Sequence, residues 1–110
     1  NLRILYLYDN ELNGLLPKEW GSLTSLEGFF VRRNQLVSTL PSEYGRWTQI
    51  RELSFAINYL NGTLPSEYSF MTNLDVFELY SNELSGTLPR SWSSFSMLRQ
   101  ANFSDNCLSG

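Results

Sequence analysis

The chain has 110 residues, 8 of them basic and 11 acidic, with a formal net charge of −3, one cysteine and no histidine. An acidic surface is repelled by phosphate backbones and anionic headgroups, which argues against nucleic acid or a charged lipid surface as partner. The cysteine and histidine counts exclude an internal disulfide framework, a Cys/His metal cluster and imidazole acid–base chemistry, so no metal or cofactor is expected. Direct membrane insertion is not expected either. The longest apolar run, counting tyrosine, covers residues 4–8, far short of the roughly 20 needed to span a bilayer.

The first segment, residues 1–8, alternates Leu5 and Leu7 with Ile4, Tyr6 and Tyr8, and only the leucine set stays apolar in later copies. That period of two marks a strand with one buried face. The frame returns as Phe29 with Val31, Leu53 with Phe55, Phe77 with Leu79, and Ala101 with Phe103. Five short parallel strands, stacked side by side, are predicted. An asparagine follows each of them. Asn10, Asn34, Asn58, Asn82 and Asn106 stand 24 residues apart, and Leu12, Leu36, Leu60, Leu84 and Leu108 come two residues later. An inward asparagine can bond turn N–H and C=O groups that would otherwise be buried without partners, so losing one should cost about 1–3 kcal/mol.

A Gly-Thr-Leu-Pro segment comes next, complete at residues 62–65 and 86–89, with Gly14 and Pro17 in the first copy and Ser38 replacing glycine in the second. Glycine suits a tight turn, and the Thr-Leu pair favours a short extended segment. Ser38 implies that the turn tolerates a side chain. Pro17, Pro41, Pro65 and Pro89 fit the first position of a short helical turn, where a missing N–H costs nothing. That turn carries Trp20, Tyr44, Tyr68 and Trp92, with Leu23, Trp47, Met71 and Phe95 three residues on, hence on the same face. The plainer reading of these rings is convex-side core. A stacked platform for sugars is the alternative.

Self-similarity near 24 residues is the mark of a leucine-rich solenoid. The predicted fold is α/β: a leucine-rich repeat solenoid of 24-residue period, with a parallel sheet on the concave face and short helical turns on the convex side. Residues 1–110 form a single array of about four and a half repeats. Neither terminal coil carries a polar cap, which suggests a segment of a longer array. Cys107 takes the place of Glu11, Gln35, Tyr59 and Glu83, so it should lie near the surface, either free or paired with a cysteine elsewhere.

The alternation sends Ile4, Tyr6, Tyr8, Gly28, Phe30, Arg32, Glu52, Ser54, Ala56, Val76, Glu78 and Tyr80 outward onto the concave face. Tyr6, Tyr8, Phe30 and Arg32 cluster at the first two strands and are of residue types enriched in binding hot spots. With Glu52, Glu78 and Tyr80 they make the candidate partner-binding set. A plainer reading lays Arg32 over the Tyr8 ring, with Arg33 solvated nearby. Glu52 and Glu78 on adjacent strands resemble an acid–base pair, but a shallow open face excludes little water, and no enzyme is expected. The sequons Asn61-Gly62-Thr63 and Asn102-Phe103-Ser104 are candidate glycosylation sites. A glycan on Asn102 would shield the fifth strand, whereas Asn61 lies just past a strand-end turn.

The repeated pattern LxxLxLxxNxLxGxLPxxW resembles the plant-type class of leucine-rich repeat, which carries Gly-x-hydrophobic-Pro after the asparagine. The tryptophan after proline, in Leu16-Pro17-Lys18-Glu19-Trp20 and Leu88-Pro89-Arg90-Ser91-Trp92, is less usual there. With Ser85-Gly86-Thr87-Leu88-Pro89 and Ser93-Ser94-Phe95-Ser96, it is similar to the promastigote surface antigens and related surface proteins of trypanosomatid parasites. That resemblance implies an extracellular or cell-surface glycoprotein, often lipid-anchored, attaching to a host receptor or another extracellular protein. The expected function is therefore non-enzymatic protein binding through the concave face. A structural or antigenic coat array, and a plant-type enzyme inhibitor or receptor ectodomain, are the alternatives.

Overall fold

Each repeat lays down one coil, because its apolar strand residues can be buried only against the coil before and the coil after. The computed structural model describes residues 2–109; Asn1 and Gly110, the ends of the predicted array, lie outside the described residues. The extended segments in chain order are β1 (Ile4–Tyr6), β2 (Asn13–Gly14), β3 (Gly28–Phe30), β4 (Gln35–Leu36), β5 (Glu52–Ser54), β6 (Asn61–Thr63), β7 (Val76–Glu78), β8 (Glu83–Gly86), β9 (Gln100–Asn102) and β10 (Cys107–Leu108). The odd-numbered strands form one parallel five-stranded sheet in the order β1-β3-β5-β7-β9. Its register keeps the 24-residue step, with Leu5, Phe29, Leu53, Phe77 and Ala101 side by side.

The inward residues behave as the alternation requires. Phe29, Val31, Leu53, Phe55, Phe77 and Leu79 are buried, while Leu5, Leu7 and Phe103 in the outer coils are partly buried and Ala101 is exposed. On the opposite side, four 3-10 helical turns, Lys18–Ser22, Ser42–Arg46, Ser66–Phe70 and Arg90–Ser94, stack on one another. Tyr44, Trp47, Tyr68 and Met71 are wholly buried there and Trp92 nearly so, which makes the convex aromatics core and rules them out as a sugar platform. Tyr44 and Trp47 stack at 4.0 Å.

The prolines stand one residue earlier than expected. Each precedes its helical turn in an extended conformation, ψ 123° at Pro17 and 138° at Pro89. From there its carbonyl accepts the N–H three residues on, as Trp20 N donates to Pro17 O at 3.2 Å. The same carbonyls take a second bond from the next coil: Tyr44 Oη to Pro17 O and Tyr68 Oη to Pro41 O at 2.8 Å, Trp92 Nε1 to Pro65 O at 2.9 Å. A carbonyl has two lone pairs, and both are used.

The second extended segment also differs from expectation. It begins one to three residues after the asparagine, at Asn13, Gln35, Asn61, Glu83 and Cys107, and does not extend through the Thr-Leu pairs: β6 ends at Thr63 and β8 at Gly86. Gly14 and Gly86, at φ of +85° and +84°, close β2 and β8, while Gly62, at +83°, lies inside β6. Ser38 does not adopt that conformation. Its Oγ accepts from Leu16 N at 3.1 Å and donates to Thr39 O at 2.7 Å, replacing the turn's bonds with its own. Around it the flanking sheet divides into β2-β4 and β6-β8-β10, joined by the single bridge of Thr39 to Asn61.

The asparagine column is the deepest polar feature. Asn58 Nδ2 donates to Val31 O of the preceding coil and Phe55 O of its own, both at 3.1 Å, and its Oδ1 accepts from Leu36 N at 3.2 Å. Asn34, Asn82 and Asn106 repeat the pattern. Asn10 is exposed and bonds only its own coil, at Leu7 O and Tyr8 O. Replacing Asn58 with alanine should therefore cost about 3 kcal/mol, and Asn10 with alanine about 1 kcal/mol or less, in chemical denaturation. Equal losses would show that the bonds between coils contribute nothing extra.

Burial pushes the Tyr68 and Tyr44 phenols upward, with nearby acidic groups adding to the shift. A folded-state value above the unfolded one means the contribution is intact below about pH 10 and is lost as pH rises above it. Tyr68→Phe should remain folded to higher pH than the parent in an alkaline titration followed by circular dichroism, while losing some stability at neutral pH with its bond to Pro41.

Candidate functional site

Three rows of side chains cross the outer face of the five-stranded sheet. The first is Ile4, Gly28, Glu52, Val76 and Gln100; the second is Tyr6, Phe30, Ser54, Glu78 and Asn102. Backbone bonds such as Arg33 N to Ala56 O and Ile57 N to Tyr80 O carry the register on to a third row of Tyr8, Arg32, Ala56, Tyr80 and Ser104.

Tyr6 and Phe30 stand on neighbouring strands and stack at 4.9 Å with 14° between their planes, the spacing of the strands themselves. Tyr8 meets Tyr6 edge-on at 5.9 Å. Tyr6 and Tyr8 are exposed and Phe30 is half-buried. Phe30 lies across Gly28: a Cβ placed there would come within 2.9 Å of Phe30 Cε2. A side chain there would have to displace the ring, with no unusual backbone angle involved.

Ser54 and Ala56, expected to be exposed, are 3% and 0% accessible. Ser54 Oγ donates to Glu78 Oε1 at 2.9 Å, so the carboxylate covers it. Arg32 and Tyr80 flank Ala56 in the third row; hydrogen bonding to Tyr80 is the largest influence strengthening the hold of Arg32 on its proton, burial opposes it, and the charges of Tyr80, Asp9 and Glu78 reinforce it. Ala56, between them, is wholly buried. Arg33 is not simply solvated but ion-paired with Asp9 at 3.2 Å.

Of the candidate residues, Tyr6, Tyr8 and Phe30 are in contact, Glu78 accepts from Ser54, and Arg32 and Tyr80 flank Ala56. Glu52 stands apart in the first row. It pairs in register with Val76, while Glu78 pairs with Ser54, so the two glutamates are not partners. Of the sequons, Asn102 is exposed on the concave face, its Oδ1 accepting from Ser104 N and Ser104 Oγ at 3.1 and 2.7 Å. Asn61 is half-buried at the start of β6, inside the flanking sheet and not in a free turn. Cys107 is exposed, as expected.

One feature absent from the candidate set was visible in the sequence. Arg3, Glu27, Arg51, Asp75 and Arg99 lie 24 residues apart and alternate in sign. They border the concave sheet as a column, with Arg3 to Glu27 at 2.9 Å and Arg99 to Asp75 at 2.7 Å. The hydrogen bonds from Arg99 hold the Asp75 carboxyl below the usual carboxylate range, with burial opposing and the charges of Arg99 and Arg51 assisting. Among the described residues no group of three His, Cys, Asp or Glu side chains is placed to hold a metal ion, and no helix is long and apolar enough to cross a membrane.

The burial of Ala56 between Arg32 and Tyr80 gives a direct test. Arg32→Ala should expose the Ala56 methyl group to a soluble paramagnetic relaxation agent, and Tyr80→Phe should do so to a lesser degree, with little change in melting temperature. An Ala56 signal equally protected in both variants would show that other side chains roof it.

The Leucine Rich Repeat family model matches residues 1–23. The comparison with curated proteins gives no match. Among solved structures the chain is similar to the leucine-rich repeat ectodomain of the plant membrane receptor kinase GASSHO1/SCHENGEN3 from Arabidopsis thaliana, solved in complex with CASPARIAN STRIP INTEGRITY FACTOR 2 (35% identity, TM-score 0.95, 96% of this chain and 13% of that one). It is also similar to the Arabidopsis receptor kinase HAESA in complex with the peptide hormone IDA and the co-receptor SERK1 (31% identity, TM-score 0.92, 99% and 18%). A third is the ectodomain of the receptor kinase SOBIR1 from Arabidopsis thaliana (30% identity, TM-score 0.91, 97% and 58%). The chain thus spans from 13% to 58% of the length of these ectodomains. Its fold is the leucine-rich repeat solenoid that they share.

Proposed function

We propose that this array is the protein-recognition part of an extracellular protein and that it binds its partner through the outer faces of β1 and β3. The stacked Tyr6–Phe30 pair carries the reading. Parallel sheets are ordinarily covered on both faces, yet these rings, with Tyr8, stand toward solvent at the edge of a face whose centre, at Ser54 and Ala56, is buried. Rigid aromatics contribute contact area at low entropic cost and dominate many interfaces. Arg32, Glu78 and Tyr80 frame the site, and Glu52 lies on its rim. The likeness to receptor ectodomains solved with peptide and protein ligands supports a protein partner and an extracellular setting. Attachment to a host receptor, which the motif resemblance to promastigote surface antigens implies, is the specific form of this function. A glycan on Asn102 would direct contacts toward the first strands; Asn61 would carry its glycan on the flank.

The experiment compares proteins captured from cell-surface extract by the parent chain and by a variant with alanine at Tyr6, Tyr8 and Phe30. The expected result is at least one partner lost by the variant, with affinity reduced by roughly a hundredfold or more. Identical capture by both chains would favour the coat-array alternative.

A further inference from the structure

Beside the aromatic pair the concave face holds an open hollow. In the first row, Gly28 is the only position without a side chain, between Ile4 on one strand and Glu52 on the other. One wall is apolar, made by Ile4, Tyr6 and Phe30; the other is charged, with Arg51, Glu52, Glu27 and Asp75. We propose that this hollow binds a neutral pyranose sugar, either on a free oligosaccharide or on a glycan carried by a partner.

The charges select the ligand. Glu27 is neutralised by Arg3 and Asp75 by Arg99. Among the described residues, Arg51 and Glu52 are exposed and have no ion-pair partner within 4.0 Å, leaving one free charge of each sign. A cationic guest meets Arg51 and an anionic guest meets Glu52. A sugar hydroxyl both donates and accepts, so it can accept from the guanidinium and donate to the carboxylate, in charge-assisted bonds. The C–H face of the ring is apolar and packs on Tyr6 and Phe30. A peptide side chain satisfies one wall or the other; a pyranose satisfies both.

Backbone amide shifts of the labelled full chain would be followed during titration with methyl glycosides of glucose, galactose, mannose and N-acetylglucosamine. Galacturonate and arginine amide serve as charged comparators. Saturable shifts at Gly28, Phe30, Arg51 and Glu52 are expected for at least one neutral glycoside, tighter than for either comparator. Glu52→Gln and Arg51→Gln should each weaken binding about tenfold, while Asn102→Gln leaves it unchanged. The proposal is overturned by the absence of saturable shifts from every neutral glycoside, by binding that survives both substitutions, or by tighter binding of a charged comparator. Removing N-glycans from captured proteins separates the sources, because capture is lost only when the sugar belongs to the partner. Both substitutions are at exposed positions and spare Tyr6, Tyr8 and Phe30, so failure here leaves the protein-recognition reading to its own test.

Discussion

The asparagine column holds one coil to the next where nothing else can. At the end of each concave strand the chain turns inward, and its N–H and C=O groups leave the sheet ladder in a place without water. One carboxamide supplies both missing functions: Asn82, for example, donates to Phe55 O at 3.0 Å and accepts from Leu60 N at 2.9 Å, both in the preceding coil. Because the donor and acceptor reach different points of that coil, the bond pair sets the rotation of each repeat as well as its height. A hydrophobic residue of similar size would leave Leu60 N unpaired and Phe55 O with one donor, Asn58, instead of two. The period of the array follows from that geometry.

Holding the asparagine in place has its own cost. The residue before each one, Asp9, Arg33, Ile57, Ser81 and Asp105, adopts φ between 55° and 61°, a left-handed conformation that L-residues rarely take. Ile57 is the extreme case, since its branched side chain suits that region least. That a β-branched residue is held there shows how strongly the turn is determined by the bonds on either side. Ile57 N to Tyr80 O and Asn58 N to Ser81 O are both in place. The sequence offered no sign of this strain, because the position accepts five residues of four types with no shared chemistry.

Legibility divides along the same line. Strand frame, asparagine column and convex aromatics were readable because burial forces the same chemistry at the same step in every coil. Ser38 was readable as an exception, but not its consequence, since the loss of a glycine turn shows only as a broken ladder between neighbouring coils. The burial of Ser54 and Ala56 could not be inferred from alternation, which sends them outward correctly but says nothing of Glu78 reaching over Ser54 from the adjacent strand or of the longer side chains on either side of Ala56. The Arg3 to Arg99 column was present in plain view at a 24-residue step. It was missed because alternating sign, unlike repeated identity, does not register as a repeat.

These differences give the concave face its asymmetry. In the central coil small residues, Ser54 and Ala56, stand between larger neighbours and are buried, and the Ser54 hydroxyl is taken up by Glu78. In the first two coils the same rows hold Tyr6, Tyr8 and Phe30, which are too large to be roofed, and Gly28, which leaves a gap beside them. Paired charges border that gap, with Arg51 and Glu52 left over. A repeat fold gives every coil the same backbone, so a site arises only where the outward residues depart from one another. Here the departure is confined to β1 and β3 and to the charged edge of β5, and the unspent aromatic surface and unspent charge of the face meet at one place.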